Sequence, residues 1–327
     1  MDCLIPGMKL TTDIHGLERV APGDMIISAF PASRIPSRWK RSVLLLFSAF
    51  RSRHLVIHFS LPEIVFFSVV LFLVPFNRCR ITTLDFFAGD VRPWFKPLAR
   101  WSLRRVARFL VYFRDASSTA RTHGLSPARF HYIPFKINGY ELIRAVAPRD
   151  EGYIFSGGRS RRDFALFFAA VGDLGYPVKL LTGNESDLVP HGSSLRNLTV
   201  PSNVEIFRND SNMECFVRLL SGARLVVIPL LRGSGTQAGI GVCLQAMAAR
   251  KCLIVSSGLG ISDVISDSQA IVVPAGDFSA LRDTIRLAWE DADLRERHAA
   301  AAADYALPLG GEDELRRSIL KSLPDPA

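Results

Sequence analysis

Two glycines followed closely by a run of arginines, FSGGRSRR over 155–162, are the residues in this sequence best suited to a particular chemistry. Gly157 and Gly158 close an apolar run, YIFSGG, with the composition of a buried strand. With no side chains there, backbone N–H groups can approach a phosphate. Arg159 and Arg162 would add fixed positive charge able to fork onto its oxygens. A second glycine-rich loop, RGSGTQAG over 232–239, precedes a helical pattern over 237–249. A helix start offers unpaired N–H groups and a positive dipole end, so this loop, with Gly235, Thr236 and Gly239, forms a second expected anion site. Two such sites on one sheet edge suit a diphosphate. Gln237 and Gln245 stand eight positions apart. Their amides can donate to and accept from hydroxyls, but they cannot act as bases.

Other groupings carry less. Gly233, Gly235 and Ala238 fit G-x-G-x-x-A, a dinucleotide pattern, but no acidic residue follows about 20 positions on. Asp291 and Asp293 form a D-x-D that suits helix capping better than a metal. No His, Cys, Asp or Glu cluster has metal-ligand spacing, and no nucleophile–base pair is readable. His58 and Asp85 each end a strand-like run, and Asp90 follows closely. Carboxyl ends of parallel strands line binding crevices, so His58 and Asp85 are candidate ligand contacts.

These residues need elements to hold them. In the first part of the chain, HLVIHF, CRITTLDF and FHYIPF are strand-like and alternate with helical patterns. PGDMIISAF (22–30) looks like the remnant of an opening unit. A polar stretch over 138–152 suggests a linker. Beyond it the alternation restarts with YIFSGG, PVKLLTGN ending near Gly183, NVEIF, RLVVIPL, CLIVSS and AIVVPAG. Strand–helix alternation with buried strands predicts two doubly wound α/β domains, the first shortened. The expected boundaries are 1–146, 147–310 and a terminal helix over 311–327.

The chain has 327 residues and a net charge of +9. With 48% hydrophobic and 22% charged residues it has material for a core and is not a disordered chain. Charge divides unevenly: residues 1–148 hold 21 Lys/Arg against 9 Asp/Glu, and the remainder 19 against 22. The first part should therefore face something anionic. RIPSRWKR (34–41) and RWSLRRVARF (100–109) suit a membrane surface or a polyanion. No aromatic platform or recognition helix points to nucleic acid. Five scattered cysteines suggest a reducing compartment and no disulfide framework. No signal peptide is readable at the N-terminus. The most apolar run, Ile64 to Phe76, is short of the roughly 20 residues that span a bilayer and is expected to be a buried helix.

The order of motifs after residue 150 resembles the donor-binding half of family 4 retaining glycosyltransferases, which have the GT-B fold. FSGGRSRRDF resembles their phosphate-binding turn, QAGIGVCLQAMAARKCLIVSSGLGISDVI their signature helix and following strand, and SDSQAIVVPAGDFSALRDTI their closing strand, turn and helix. HYIPFKIN (131–138) is similar to the segment that closes their first domain. The resemblance implies two Rossmann-like domains facing a cleft. It also implies retaining, metal-independent transfer from a nucleoside diphosphate sugar, with no further cofactor. Arg159, Arg162 and Gln237 would act on the diphosphate and sugar. Gly157, Gly158, Gly183, Gly235, Thr236 and Gly239 would line the donor, and Gln245 would meet the ribose. The family has glutamates where this chain has Gln237 and Gln245, which leaves an inactive binding partner as the alternative. A glycan or lipid-linked acceptor on the side of His58, Asp85 and Asp90, polysaccharide biosynthesis and a cytoplasmic place at the inner membrane face complete the expectation.

Overall fold

Short apolar runs separated by helical segments become two parallel sheets, each covered by helices. The computed structural model describes residues 8–23, 25–58, 61–74, 79–86, 92–208, 212–233 and 238–324. The chain divides into two compact units, Met1–Pro134 with Asp313–Ala327, and Phe135–Glu312.

The first unit contains β1 (Lys9–Thr12), β2 (Ile26–Ala29), α1 (Arg38–Ala49), β3 (His54–His58) and α2 (Leu61–Leu73). It continues with β4 (Arg80–Leu84), α3 (Lys96–Arg105), β5 (Val106–Val111), α4 (Ser117–His123) and β6 (Phe130–Tyr132). The strands pair in parallel in the order β2-β1-β3-β4-β5-β6. The order reverses between β1 and β3, the place where doubly wound sheets bind ligands. An opening strand is therefore present. The sequence reading missed it because KLTT is short and two of its inward residues, Thr11 and Thr12, are polar yet buried. PGDMIISAF supplies β2 rather than the start of the sheet. On the covered face Phe86, Phe109 and Phe130 pack ring to ring, with Phe109 and Phe130 stacked at 4.8 Å. Burying each such side chain contributes roughly 1.5–3 kcal/mol.

The second unit contains α5 (Tyr140–Ala145), β7 (Ile154–Gly157), α6 (Phe164–Leu174), β8 (Val178–Thr182), α7 (Glu185–Leu188) and β9 (Val204–Arg208). Then come α8 (Met213–Ser221), β10 (Leu225–Ile228), α9 (Ile240–Ala248), β11 (Cys252–Ser256), α10 (Leu259–Val264), β12 (Ile271–Val273), α11 (Phe278–Glu290) and α12 (Ala292–Ala306). The sheet order β12-β11-β10-β7-β8-β9 is the dinucleotide-fold order, with its reversal between β7 and β10. Asp163, Asp277 and Asp291 cap α6, α11 and α12 by accepting from the N–H three residues on. Asp291 is thus the helix cap that the sequence suggested. The last helix, α13 (Glu312–Lys321), follows.

The sequence reading places residues 135–146 with the first domain and 138–152 in a linker, but the structure puts them in the second unit, with α5 formed inside them. The reason is local packing. Gln245 Nε2 of α9 donates to Asn138 O at 3.0 Å, and Ile137 N–H donates to Gly310 O at 3.0 Å. The terminal helix groups with the first unit. Arg316 Nε donates to His15 O at 3.0 Å, and Arg108 Nη1 donates to Ser322 O at 2.7 Å.

Candidate donor site on the second unit

Two loops meet where the second sheet reverses. One leaves β7 at Gly157 and reaches α6; the other leaves β10 at Ile228. They are joined by Asp163 N–H to Pro229 O at 3.1 Å and Leu231 N–H to Arg161 O at 2.9 Å. The phosphate-turn residues of the sequence therefore stand at the carboxyl edge, at the switch point.

The two arginines are not equivalent. Arg159 is exposed at the turn and has no hydrogen bond or ion pair with another described residue. Arg162 is 3% exposed. Its Nε donates to Gly157 O at 3.0 Å, its Nη1 to Ser160 O at 2.7 Å, and its backbone N–H to Ser193 Oγ at 2.7 Å. It braces the turn from beneath, so the expectation that both arginines project toward a phosphate is corrected for Arg162. Burial lowers its pKa to about 10, which still leaves it charged at neutral pH. The thiol of Cys243 on α9 is its only titratable neighbour with a resolved influence, and burial pushes that thiol up to about 12. Among the described residues the guanidinium thus meets neutral acceptors only, an arrangement that favours an anion close by. Gly158 makes it possible: its φ is +99°, and a Cβ there would stand 2.3 Å from Arg162 Nη2. Its own N–H is already taken by Leu181 O at 3.2 Å.

Around this turn, Gly183 follows β8, and its carbonyl accepts from Arg208 Nη1 at 2.9 Å. Gly239 starts α9 with φ +88°, and a Cβ there would press on the Leu230 side chain at 3.3 Å. The α9 start therefore packs directly on the β10 loop. Gln245 is 4% exposed, and besides Asn138 O its Nε2 points at Met213 Sδ, 3.6 Å away. Its Nε2 ties α9 to the segment just before α5 and to α8. Gln237, Gly235, Thr236 and Asp90 lie outside the described residues.

At the carboxyl edge of the first sheet, Asp13 follows β1 and His58 ends β3, on either side of that sheet's reversal. Asp13 Oδ1 accepts from His58 N–H at 3.0 Å and lies 3.3 Å from His58 Nδ1. Asp85 follows β4 with φ +62°, held by its N–H to Leu110 O at 2.9 Å. The structure pairs His58 with Asp13, a residue the sequence reading missed. Its signal was an acid directly after a strand, hidden because that strand was not recognised.

Two cavities lie elsewhere. One of about 570 Å³ lies between α1 and the amino end of β2, and one of about 410 Å³ lies at the amino edge of the second sheet, beside Arg149 and Lys251. Neither touches the carboxyl edges, where the chemistry-bearing residues collect. Among the described residues no cluster of His, Cys, Asp or Glu could hold a metal ion, and no helix is long and apolar enough to cross a membrane.

Solved structures share this architecture over nearly the whole chain. A glycosyltransferase from Rickettsia africae ESF-5 has a TM-score of 0.69 at 11% identity, covering 96% of this chain and 97% of that one. Anabaena Alr3699/HepE, solved in complex with UDP, has a TM-score of 0.68 at 14% identity, covering 96% and 99%. Sucrose-phosphate synthase from Thermosynechococcus elongatus has a TM-score of 0.66 at 15% identity, covering 91% and 82%. The fold is GT-B. Residues 179–305 match the family model of glycosyl transferases group 1. No curated protein matches the chain. The matched GT-B segment begins in β8 and ends in α12, so it takes in the β10 loop, α9 and β11 but not the Gly157–Arg162 turn. That turn stands on its own geometry.

Proposed function

We propose that the protein is a glycosyltransferase that takes a sugar from a nucleoside diphosphate sugar, with retention and without a metal. The observation that carries the donor is the turn after β7. Among the described residues, it presents an exposed, unpaired Arg159 beside a buried Arg162 whose charge no carboxylate offsets. A diphosphate at this edge would meet Arg159 directly and gain from the field of Arg162. Both cations stabilise the leaving diphosphate more as its negative charge grows during transfer. The matched group 1 segment supports this reading, as do the neighbours solved with UDP and UDP-glucose. Gln237 is assigned to the sugar. Gln245 serves by fixing α9 to Asn138 rather than by meeting the ribose. The acceptor is a glycan or a lipid-linked glycan, in polysaccharide synthesis at the inner membrane face, with His58, Asp85 and Asp90 on its side.

Calorimetric titration with UDP and GDP tests the donor site. Wild type should bind one of them. Arg159→Ala should weaken binding by about 10- to 100-fold without changing the melting temperature. Arg162→Ala should lose both binding and stability, because the buried Gly157 carbonyl and the half-buried Ser160 carbonyl lose their donor. Failure of wild type to bind either nucleotide sinks the proposal. The amides at Gln237 and Gln245 motivate a second reading, a catalytically silent partner of an active transferase. Hydrolysis or transfer of a donor sugar by the pure protein, unaffected by a metal chelator, excludes it.

A further inference from the structure

The first unit carries a helix layer that is apolar on both sides. In the sheet order β2-β1-β3-β4-β5-β6 the connections through α1, α2 and α3 all step the same way. Right-handed crossovers then place the three helices on one face. Side chains confirm their adjacency. Arg38 of α1 pairs with Glu63 of α2 at 3.2 Å, and Phe72 of α2 meets Trp101 of α3 edge-on at 5.4 Å.

Helix geometry, about 100° per residue, sorts inward from outward side chains. On α1, Ser42, Leu45 and Ala49 are buried, and Val43, Leu44 and Phe47 point away from them. Phe47 is 66% exposed. On α2, Ile64, Phe67 and Ser68 face inward with Phe66 packed beside them, while Phe72 and Leu73 are open to solvent, Leu73 being 71% exposed. The sequence expectation of a buried helix thus holds for one side of α2 only. On α3, Ala99, Ser102 and Leu103 are buried, while Trp101 and Arg104 turn outward. Trp39 and Trp94, each 75% exposed, stand at the starts of α1 and α3. Exposed large apolar groups on three adjacent helices form a patch, and a patch of this kind marks a contact surface.

Charge identifies the partner. Lys40 and Arg51 flank the apolar stripe of α1, and Lys96, Arg100, Arg104 and Arg105 flank that of α3. Arg105 lies 4.5 Å over the Phe72 ring. The one acidic residue in the three helices, Glu63, is held by Arg38 and Ser42. Apolar side chains with a basic rim, tryptophans at the margin and no free acid match an anionic bilayer surface. None of the described helices is long and apolar enough to span, so contact with a bilayer would be interfacial.

We propose that the outer face of α1, α2 and α3 docks on the surface of an anionic lipid bilayer. Its apolar residues enter the headgroup boundary and its arginines meet lipid phosphates. The proposal rests on exposed residues of the first unit and stands whether or not a nucleotide binds the second.

Flotation of the full chain with vesicles tests it. The protein should bind phosphatidylcholine vesicles containing phosphatidylglycerol, bind pure phosphatidylcholine far less, and come off as salt rises. Tryptophan emission should shift to the blue on binding. Phe47→Glu with Leu73→Glu should weaken vesicle binding by about tenfold, and Arg100→Gln with Arg104→Gln should do so by a similar factor. Both double variants should keep the wild-type melting temperature and nucleotide affinity. That separates failure here from failure of the donor site. No wild-type binding to anionic vesicles overturns the proposal, as does equal binding by both variants. So does a dimer in solution that Phe47→Glu dissolves, or RNA binding in place of vesicle binding.

Discussion

At the scale of single residues, the second unit assigns different work to groups that look alike in sequence. Arg159 and Arg162 sit three apart on one turn, yet one is open to solvent and the other is locked beneath Gly158. Spacing showed that both belonged to the turn. It did not show which pointed where, because that depends on the loop from β10 closing over Arg162. Gln245 gives the same lesson. Its place in the resemblance suggests a sugar or ribose contact, but its amide meets a backbone carbonyl at 3.0 Å. Gln245→Glu would restore the family's carboxylate and set it against Asn138 O with no proton to donate. We expect a loss of about 1–3 kcal/mol in denaturant unfolding and no gain in nucleotide affinity. A more stable or more active variant would contradict the brace.

At the scale of elements, legibility followed apolar length. YIFSGG, RLVVIPL and CLIVSS announce β7, β10 and β11 because buried parallel strands need unbroken apolar runs. The edge of the first sheet was hidden because β1 buries threonines. β3 has a comparable oddity at its first residue. His54 is fully buried, and neither ring nitrogen has a hydrogen-bond partner. Burial, then the charges of Arg80 and Arg53, lower its pKa to about 4. The unfolded chain therefore binds a proton that the folded chain refuses between about pH 6.5 and 4. Stability of the first unit should fall as pH drops through that window, by up to about 3 kcal/mol, and be full above it. Urea unfolding at pH 7 and pH 4.5 checks this. His54→Leu should flatten the difference; a pH dependence unchanged in that variant would place its origin elsewhere.

At the scale of the whole molecule, charge and fold divide along the same line. The first unit holds 22 Lys/Arg against 11 Asp/Glu, and the second 18 against 20. The basic excess therefore belongs to the unit with the exposed helix layer, not to the nucleotide turn. That unit is discontinuous: the chain leaves it at Pro134 and returns at Asp313. On return, α13 buries Leu315, Ile319 and Leu320, each worth roughly 1.5–3 kcal/mol, and pins Arg316 on His15. Truncation after Gly311 should lower the melting temperature of the first unit and leave the second almost unchanged. Scanning calorimetry with and without UDP reads this, since ligand should raise only the second transition. Equal losses in both would show that α13 supports the chain as a whole.

The return of α13 also sets an order of events during synthesis. The second unit has all its strands once residue 273 has left the ribosome, and its helices soon after. The first unit, although made first, lacks α13 and its buried Leu315, Ile319 and Leu320 until translation has passed them. Through that interval the exposed outer face of its helix layer stands on a unit that still lacks α13. That interval is the one in which a chaperone or a membrane has the longest opportunity to capture the nascent chain.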